Sequence, residues 1–224
     1  MKTLNTWKKF YQKNKNFKIF VPESFVARIF LSQRPIKLLD NYEFQKKNLL
    51  DVGCGDGRHI DFLHKLGFNV TGTEVAENKV KDLKEKFDYS EFFVGTSSKL
   101  PFKNSSFDFV IAINSIYYLD VTDTLKKNII SCVNVLKKGG IFIASYVGNK
   151  HFIFLKNPHK STNKEIDYKL HQCDDDISIQ SVSSKNEIKE LYKNTGINIS
   201  KIGEIHDEMD GLDRHLFYVV GIKE

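Results

Sequence analysis

Leu49-Leu50-Asp51-Val52-Gly53-Cys54-Gly55-Asp56-Gly57 runs from an apolar, strand-like segment straight into three glycines at alternate positions. Glycine has no Cβ, so such a turn can take positive φ and let a ligand touch bare backbone N–H and C=O groups. The spacing is Gly-x-Gly-x-Gly with a full-sized arginine at position 58, not the Gly-x-Gly-x-x-Gly that seats a pyrophosphate on a helix N-terminus. The turn therefore favours a nucleoside ligand without a pyrophosphate and argues against a nicotinamide dinucleotide.

Glu74 closes the next apolar run, Asn69-Val70-Thr71-Gly72-Thr73, and falls beside the glycine turn if the two strands are neighbours. A carboxylate there can accept from both hydroxyls of a ribose. A third strand, Glu91-Phe92-Phe93-Val94, leads into Gly95-Thr96-Ser97-Ser98-Lys99-Leu100-Pro101-Phe102. With these elements in register, residues 49–147 resemble the class I S-adenosylmethionine-dependent methyltransferases, type 11-like. The resemblance implies a doubly wound, Rossmann-like α/β fold whose mostly parallel seven-stranded sheet carries a C-terminal antiparallel strand.

It also implies S-adenosyl-L-methionine as cofactor. The backbone around Gly53, Cys54, Gly55 and Gly57 would meet its methionine part, Asp51 would lie near the ammonium group, and Glu74, followed by Val75, would take the ribose. Thr96 and Ser97 fall in the segment that cradles adenine. There the chain departs from the commonest pattern, because Thr96 stands where many relatives place an aspartate that accepts from the adenine amine. A hydroxyl still accepts, but as a neutral partner. Asn114-Ser115-Ile116-Tyr117-Tyr118-Leu119 follows the fourth strand at the carboxyl edge, where open α/β sheets bind ligands; Asn114 is the expected cofactor neighbour and Tyr117 or Tyr118 the expected acceptor neighbour. Arg28, near the start of the chain, is a candidate partner for the cofactor carboxylate.

Catalytic candidates come from chemistry rather than from a diagnostic spacing. Methyl transfer from a sulfonium is an in-line displacement with an activated leaving group, so the protein must position, orient and sometimes deprotonate. His206 and His215 lie in Glu204-Ile205-His206-Asp207-Glu208-Met209-Asp210-Gly211-Leu212-Asp213-Arg214-His215, which reads as a polar hairpin connection between two strands, and an imidazole titrates near neutral pH. Tyr118 is the third candidate; His151 and His159 are weaker ones. No spacing in the chain is that of a metal site.

Hydrophobic periodicity alternates between strand-like runs and helical stripes, as in a parallel sheet wrapped by helices. Helices are expected at Arg58–Leu66, Asn78–Phe87, in the stripe Leu125, Ile129, Cys132, Val133, Leu136, and at Lys185–Thr195. Strands are expected at Phe107–Ile113, Ile141–Tyr146, Ile197–Ile205 and Leu216–Ile222. Lys137-Lys138-Gly139-Gly140 reads as a helix C-terminus. Residues 1–44 are expected to form a helical lid, broken at Pro22 and Pro35, over a methyltransferase domain spanning 45–224. Residues 148–184 show no period and read as an insertion facing the substrate or lacking order.

Across 224 residues the net charge is +6, and 41% are hydrophobic, enough for a sizeable core. Residues 1–50 hold eleven Lys/Arg against three Asp/Glu, whereas residues 171–224 hold six against eleven. The basic arm, with Trp7, Phe10, Tyr11, Phe17 and Phe20 between its cations, has the composition of a nucleic-acid contact; a lysine-rich sequence whose aromatics pack a lid explains it as well. Cys54, Cys132 and Cys173 form neither a disulfide framework nor a Cys-x-x-Cys site. No secretory leader or run of eighteen apolar residues is present, so the expectation is a soluble, cytoplasmic, reduced protein with no membrane partner.

The functional expectation is methylation of a small polar acceptor. The Tyr117-Tyr118 turn and the insertion resemble those of bacterial enzymes that O-methylate sugars or other cell-surface glycan intermediates. Two alternatives are a catalytically silent S-adenosylmethionine-binding module and an RNA methyltransferase.

Overall fold

Leu49, Leu50, Asp51 and Val52 are all buried, as expected for a central parallel strand covered on both faces. In the computed structural model of the protein, residues 2–13, 21–31, 39, 43–155, 165–169, 176–209 and 211–224 are described; Phe17, Phe20, Pro35, His159 and Cys173 lie outside them. The elements are α1 (Lys2–Lys13), α2 (Ser24–Leu31), β1 (Asn48–Val52), α3 (Ile60–Lys65), β2 (Asn69–Glu74), α4 (Glu77–Lys86), β3 (Glu91–Val94), β4 (Phe107–Ala112), β5 (Tyr118–Leu119), α5 (Leu125–Val135), β6 (Leu136–Val147), α6 (Phe152–Leu155), β7 (Glu165–Lys169), β8 (Asp176–Gln180), α7 (Lys185–Tyr192), β9 (Ile197–Met209) and β10 (Leu212–Lys223).

Seven strands form one sheet in the order β3-β2-β1-β4-β6-β10-β9. Strands β3, β2, β1, β4 and β6 are parallel, and β10 runs antiparallel between β6 and β9. The order reverses between β1 and β4, the switch point at whose carboxyl edge a ligand crevice opens. Register then does the positioning: Asp51 pairs with both Gly72 and Ile111, and Val52 with Thr73. The backbone continues the ladder past the strand end, Cys54 N–H donating to Thr73 O at 2.9 Å and Gly95 N–H to Glu74 O at 3.0 Å. The glycine turn and Glu74 are thereby held side by side.

Beneath this edge the core is aromatic: Phe30 of α2, Phe44, Phe68 and Phe109 meet ring to ring at 4.9–6.3 Å between centroids, a spacing that adds to simple area burial. Two helices start on side-chain caps. Thr124 accepts from Lys127 N–H ahead of α5, and Ser184 accepts from Glu187 N–H ahead of α7.

Two expectations are corrected. Lys137, Lys138, Gly139 and Gly140 belong to β6, not to a helix end, because α5 stops at Val135 and the chain enters the ladder at once. Residues 206–209 and 212–215 are not a loop: β9 and β10 continue past the sheet as a paired ribbon in which His206 faces His215 and Met209 faces Leu212. Asp207 faces Arg214 and Glu208 faces Asp213 across the pair, so the polarity that suggests a loop is that of a solvated ribbon. The segment without period contains α6, β7 and β8, with β5-β8-β7 forming a three-stranded sheet. Ser178 N–H of β8 donates to Thr3 Oγ1 of α1 at 3.0 Å, so this small sheet carries the first helix.

Candidate active site

At the switch point lies a cleft with a cavity volume of about 110 Å³, at the carboxyl edge where open α/β sheets bind ligands. One wall is Gly53, Glu74, Val75, Gly95, Thr96, Ser97 and Ser98, and the turn after β4 supplies Asn114, Ser115 and Tyr118. Thr3, Leu4, Trp7 and Tyr11 of α1 roof it.

The three glycines have separate jobs. Gly53 has φ +67°, and a Cβ there would sit 2.7 Å from Ser115 Cβ. Ser115 in turn donates its hydroxyl to Val52 O at 2.5 Å, so the turns after β1 and β4 are in contact only because residue 53 is glycine. Gly55 faces the Tyr11 hydroxyl, and Gly57 lies against the Phe87 ring of the segment closing α4. Neither Gly55 nor Gly57 lines the cleft, nor does Cys54, whose buried sulfur packs on Gly72.

Glu74 is 5% exposed. Its Oε2 accepts from Gly55 N–H at 3.0 Å and its Oε1 from Val75 N–H at 2.6 Å. Burial pushes the carboxyl up to about 7, against the opposing pull of those two donors and of Lys79. A carboxylate has about four acceptor sites, so two remain for a ligand's hydroxyls. Lys79 pairs with Asp56 and stands over the Tyr11 ring at 5.2 Å, fixing α1 against α4. Burial beside Glu74 drives the Tyr11 hydroxyl well above its usual range, so it is a neutral donor or acceptor.

Asp51 is 1% exposed and is turned away from the cleft. Its Oδ2 has no hydrogen-bond partner among the described residues and lies 3.5 Å from His59 Nδ1. His59 Nε2 accepts from Glu23 N–H at 3.5 Å, which assigns the ring proton to the nitrogen facing Asp51. Glu23, just ahead of α2, is the residue by which this segment reaches the site. Its carboxylate accepts from Arg58 Nη1 at 2.9 Å, Arg214 Nη2 at 3.1 Å and Asn114 Nδ2 at 3.1 Å. Asn114, at φ +53°, also donates its N–H to Ser145 Oγ at 2.7 Å. Arg28 is exposed on α2 and does not line the cleft.

Of the catalytic candidates, only Tyr118 lines the cleft. His215 is buried with both ring nitrogens engaged: Nδ1 accepts from Lys150 N–H at 3.3 Å, and Nε2 meets Glu204 Oε1 at 3.0 Å. His206 is exposed, 3.6 Å from Asp213. His151 is half-buried near Arg214 and His215, and burial with the Arg214 charge lowers it to about 4, so its imidazole is neutral at physiological pH. Tyr117 is buried against Tyr118, with its hydroxyl raised well above the usual range by burial. No three His, Cys, Asp or Glu side chains among the described residues gather as a metal site.

The sequence places Trp7 and Tyr11 in a lid but does not single out which lid residues meet the cleft, nor its far end. Leu4, Trp7 and Tyr11 recur at helical spacing and face one way, a signal present but read as a generic lid. Asn128 sits inside the apolar stripe of α5 and is 1% exposed; a polar residue among core positions was the available clue.

A switch-point cleft bordered by a glycine turn, with a buried acid on the neighbouring strand and a polar far end, defines an open α/β protein that binds a nucleoside. The comparisons make this specific. Residues 50–144 match the family described as the methyltransferase domain. The chain is 30% identical over 146 residues to a sterol 4-C-methyltransferase of Caenorhabditis elegans, an alignment covering 62% of this chain and 41% of that protein. It is 25% identical over 171 residues to an O-methyltransferase of Aspergillus sclerotiorum, covering 73% and 59%. A solved S-adenosylmethionine-dependent methyltransferase from Methanosarcina mazei superposes with a TM-score of 0.68 at 20% identity, over 84% of this chain and 98% of that one. Over residues 50–144 the chain is thus similar to methyltransferase domains, and it shares the fold of solved S-adenosylmethionine-dependent methyltransferases. It spans between two fifths and three fifths of the two curated relatives.

Proposed function

We propose that this protein methylates a small polar acceptor, with O-methylation of a sugar or glycan intermediate as the narrower reading. The observation that carries it is the Glu74 carboxylate, fixed by Gly55 and Val75 N–H at the rim of the switch-point cleft. The cofactor fits the residues present: Glu74 keeps acceptor capacity for a ribose, Gly53 offers bare backbone for the methionine part, and Asn128 Oδ1 is a buried acceptor without a partner at the far end. When bound, S-adenosylmethionine supplies a methyl group already activated on sulfur.

The chain's own residues position and enclose. Trp7 and Tyr11 of α1 exclude water from the nucleoside, and the segment around Glu23 closes the other end by pairing with Arg58, Arg214 and Asn114. Residues 2–13 and 21–31 thus act as the lid of a methyltransferase domain. On the acceptor side, Tyr118 gives a flat wall with a hydroxyl, backed by the buried Tyr117. His151 does not line the cleft, and burial beside the Arg214 cation lowers its basicity, so it is a poor proton acceptor for an acceptor hydroxyl.

A catalytically silent reading keeps one supporting observation, that no histidine among the described residues lines the cleft. Transfer of radiolabelled methyl from S-adenosylmethionine to fractionated polar metabolites separates the readings. Label in a small polar fraction, abolished by Glu74→Ala, supports the proposal. Binding of S-adenosylhomocysteine with no labelled product in any fraction would establish the silent module, and label confined to RNA would move the acceptor to nucleic acid.

A further inference from the structure

The far end of the cleft is formed by Ser97 and Ser98 on one side and by Leu119, Asp120, Asp123 and Asn128 on the other. Thr96, at the position where relatives place an acid toward adenine, is committed to its own turn. Its Oγ1 accepts from Lys99 N–H at 3.1 Å and pairs with Ser98 Oγ at 3.2 Å, while the backbones of Thr96 and Lys99 bond each other in both directions at 3.0 and 3.2 Å.

Two acceptors from the other side of the cleft are better placed by chemistry. Asp123, in the connection from β5 to α5, has a side chain 11% exposed. Its Oδ2 accepts from Ser98 Oγ at 2.8 Å and its Oδ1 from Lys127 Nζ at 2.8 Å, so the carboxylate is clamped in position with acceptor sites left over. Asn128, one helical turn onward, donates Nδ2 to Ile116 O at 2.7 Å and to Tyr118 O at 3.4 Å. Those two carbonyls fix which way the amide points, and they leave Oδ1 buried with no partner among the described residues. A buried acceptor without a donor is the kind of atom that a ligand N–H satisfies.

We infer that Asp123, backed by Asn128, is the acceptor that reads the exocyclic amine of the cofactor's adenine, replacing the acid missing at position 96. The inference rests on the cofactor assignment and adds a base-reading site on a different loop. Specificity follows from the chemistry: a 6-amino purine presents N–H donors to Asp123 and Asn128, whereas a 6-oxo purine presents an oxygen to a carboxylate and is repelled. A site built around a charged acceptor discriminates strongly against a ligand that lacks the donor.

Calorimetric titration of the whole chain with S-adenosylhomocysteine and with its deaminated counterpart, S-inosylhomocysteine, tests this without any turnover. The wild-type protein should prefer the adenosyl compound by roughly tenfold or more, the span of a hydrogen bond to a charged group. Asp123→Ala should bring the two ligands to within about threefold, and Asp123→Asn should retain an intermediate preference. Thermal unfolding of each variant separates a lost fold from a lost contact. A wild-type protein that binds both ligands equally, or an Asp123→Ala protein that discriminates as well as wild type, would overturn the inference. Failure of S-adenosylhomocysteine to bind the wild type would instead remove the cofactor assignment beneath it.

Discussion

Gly55 donates its backbone N–H to Oε2 of Glu74 at 3.0 Å, tying the glycine turn after β1 to the acid that ends β2. This bond keeps a carboxylate buried at the rim of the cleft, where its charge is costly. Burial raises the group to about 7 in the folded protein, from an ordinary value of 4.5. Between those pH values the folded state holds a proton that the unfolded chain has released. This group's contribution to stability therefore falls as pH rises from 4.5 to about 7, then levels off. The expected size is about 3 kcal/mol by proton linkage. Urea unfolding of wild type and Glu74→Gln at pH 5 and pH 8 measures it, because the neutral amide removes the titration. Parallel profiles for the two proteins would show that burial of this carboxylate costs nothing.

A ribose donating two hydroxyls to Glu74 favours the ionised form, so binding has the opposite pH dependence from apo-protein stability. Affinity for S-adenosylhomocysteine should rise as pH increases through about 7, with proton release on binding below that pH. Glu74→Ala should weaken binding by about 1–3 kcal/mol and flatten the pH dependence. An unchanged dissociation constant would refute the ribose role.

Gly53, Gly57 and Gly139 all have positive φ, at +67°, +80° and +74°, yet a side chain at each meets different surroundings. A Cβ at Gly57 would lie 2.5 Å from the Phe87 ring and one at Gly53 would lie 2.7 Å from Ser115 Cβ, whereas Gly139 has nothing within 4 Å. Gly139→Ala should cost only the left-handed backbone, about 1–2 kcal/mol. Gly53→Ala and Gly57→Ala add overpacking, of order 1–3 kcal/mol more. Denaturant midpoints of the three variants test the order; equal losses would mean that the turn gives way without strain.

The glycine turn, its strand and the acid of β2 were legible because they are local: each is a short run whose period or composition speaks for itself. β3 was legible to the residue, and the antiparallel pairing of the last strands followed from their spacing. What the sequence hid was determined by contacts across the fold. The lid segment of Glu23 is tied to Arg58, Asn114 and Arg214 from three separate elements, and no pattern near position 23 announces them. His206 and His215 drew attention by residue type, but pairing along β9 and β10 places one in solvent and engages both nitrogens of the other. Arg28 drew attention by charge, and the helical phase of α2 turns it outward while Phe25, Val26, Ile29 and Phe30 are buried.

Tyr146 of β6 and Tyr192 of α7 share a buried hydroxyl–hydroxyl bond of 2.6 Å, and both phenols are raised above their usual range, Tyr146 and Tyr192 alike chiefly by burial. This bond fastens the C-terminal helix to the strand beside β10. Removing one hydroxyl strands the other without a partner, so Tyr146→Phe or Tyr192→Phe should each cost about 1–3 kcal/mol. The double Phe variant leaves no orphan and should recover much of the loss, a non-additivity that a double-mutant cycle reads directly. Strictly additive losses would show that the two hydroxyls are satisfied independently.

Trp7 is the single tryptophan of the chain, and it lines the cleft with its ring stacked on Tyr11 at 5.7 Å and edge-on to Tyr118 at 5.1 Å. It therefore joins the roof to the turn after β4, and its indole reports on both. A nucleoside entering the cleft must change the polarity and packing around that ring, so S-adenosylhomocysteine should shift or quench the intrinsic fluorescence saturably, with the same dissociation constant that calorimetry gives. Trp7→Ala should keep the fold, since α1 is also tethered through Thr3 to β8 and through Tyr11 to Lys79. It should nonetheless weaken binding by about 1–3 kcal/mol, the worth of one base–aromatic contact. Trp7→Phe, which preserves an apolar ring over the cleft, should restore most of that affinity. Saturable binding by calorimetry with a flat tryptophan signal would mean that α1 does not cover the ligand, and the lid would then reduce to the segment around Glu23.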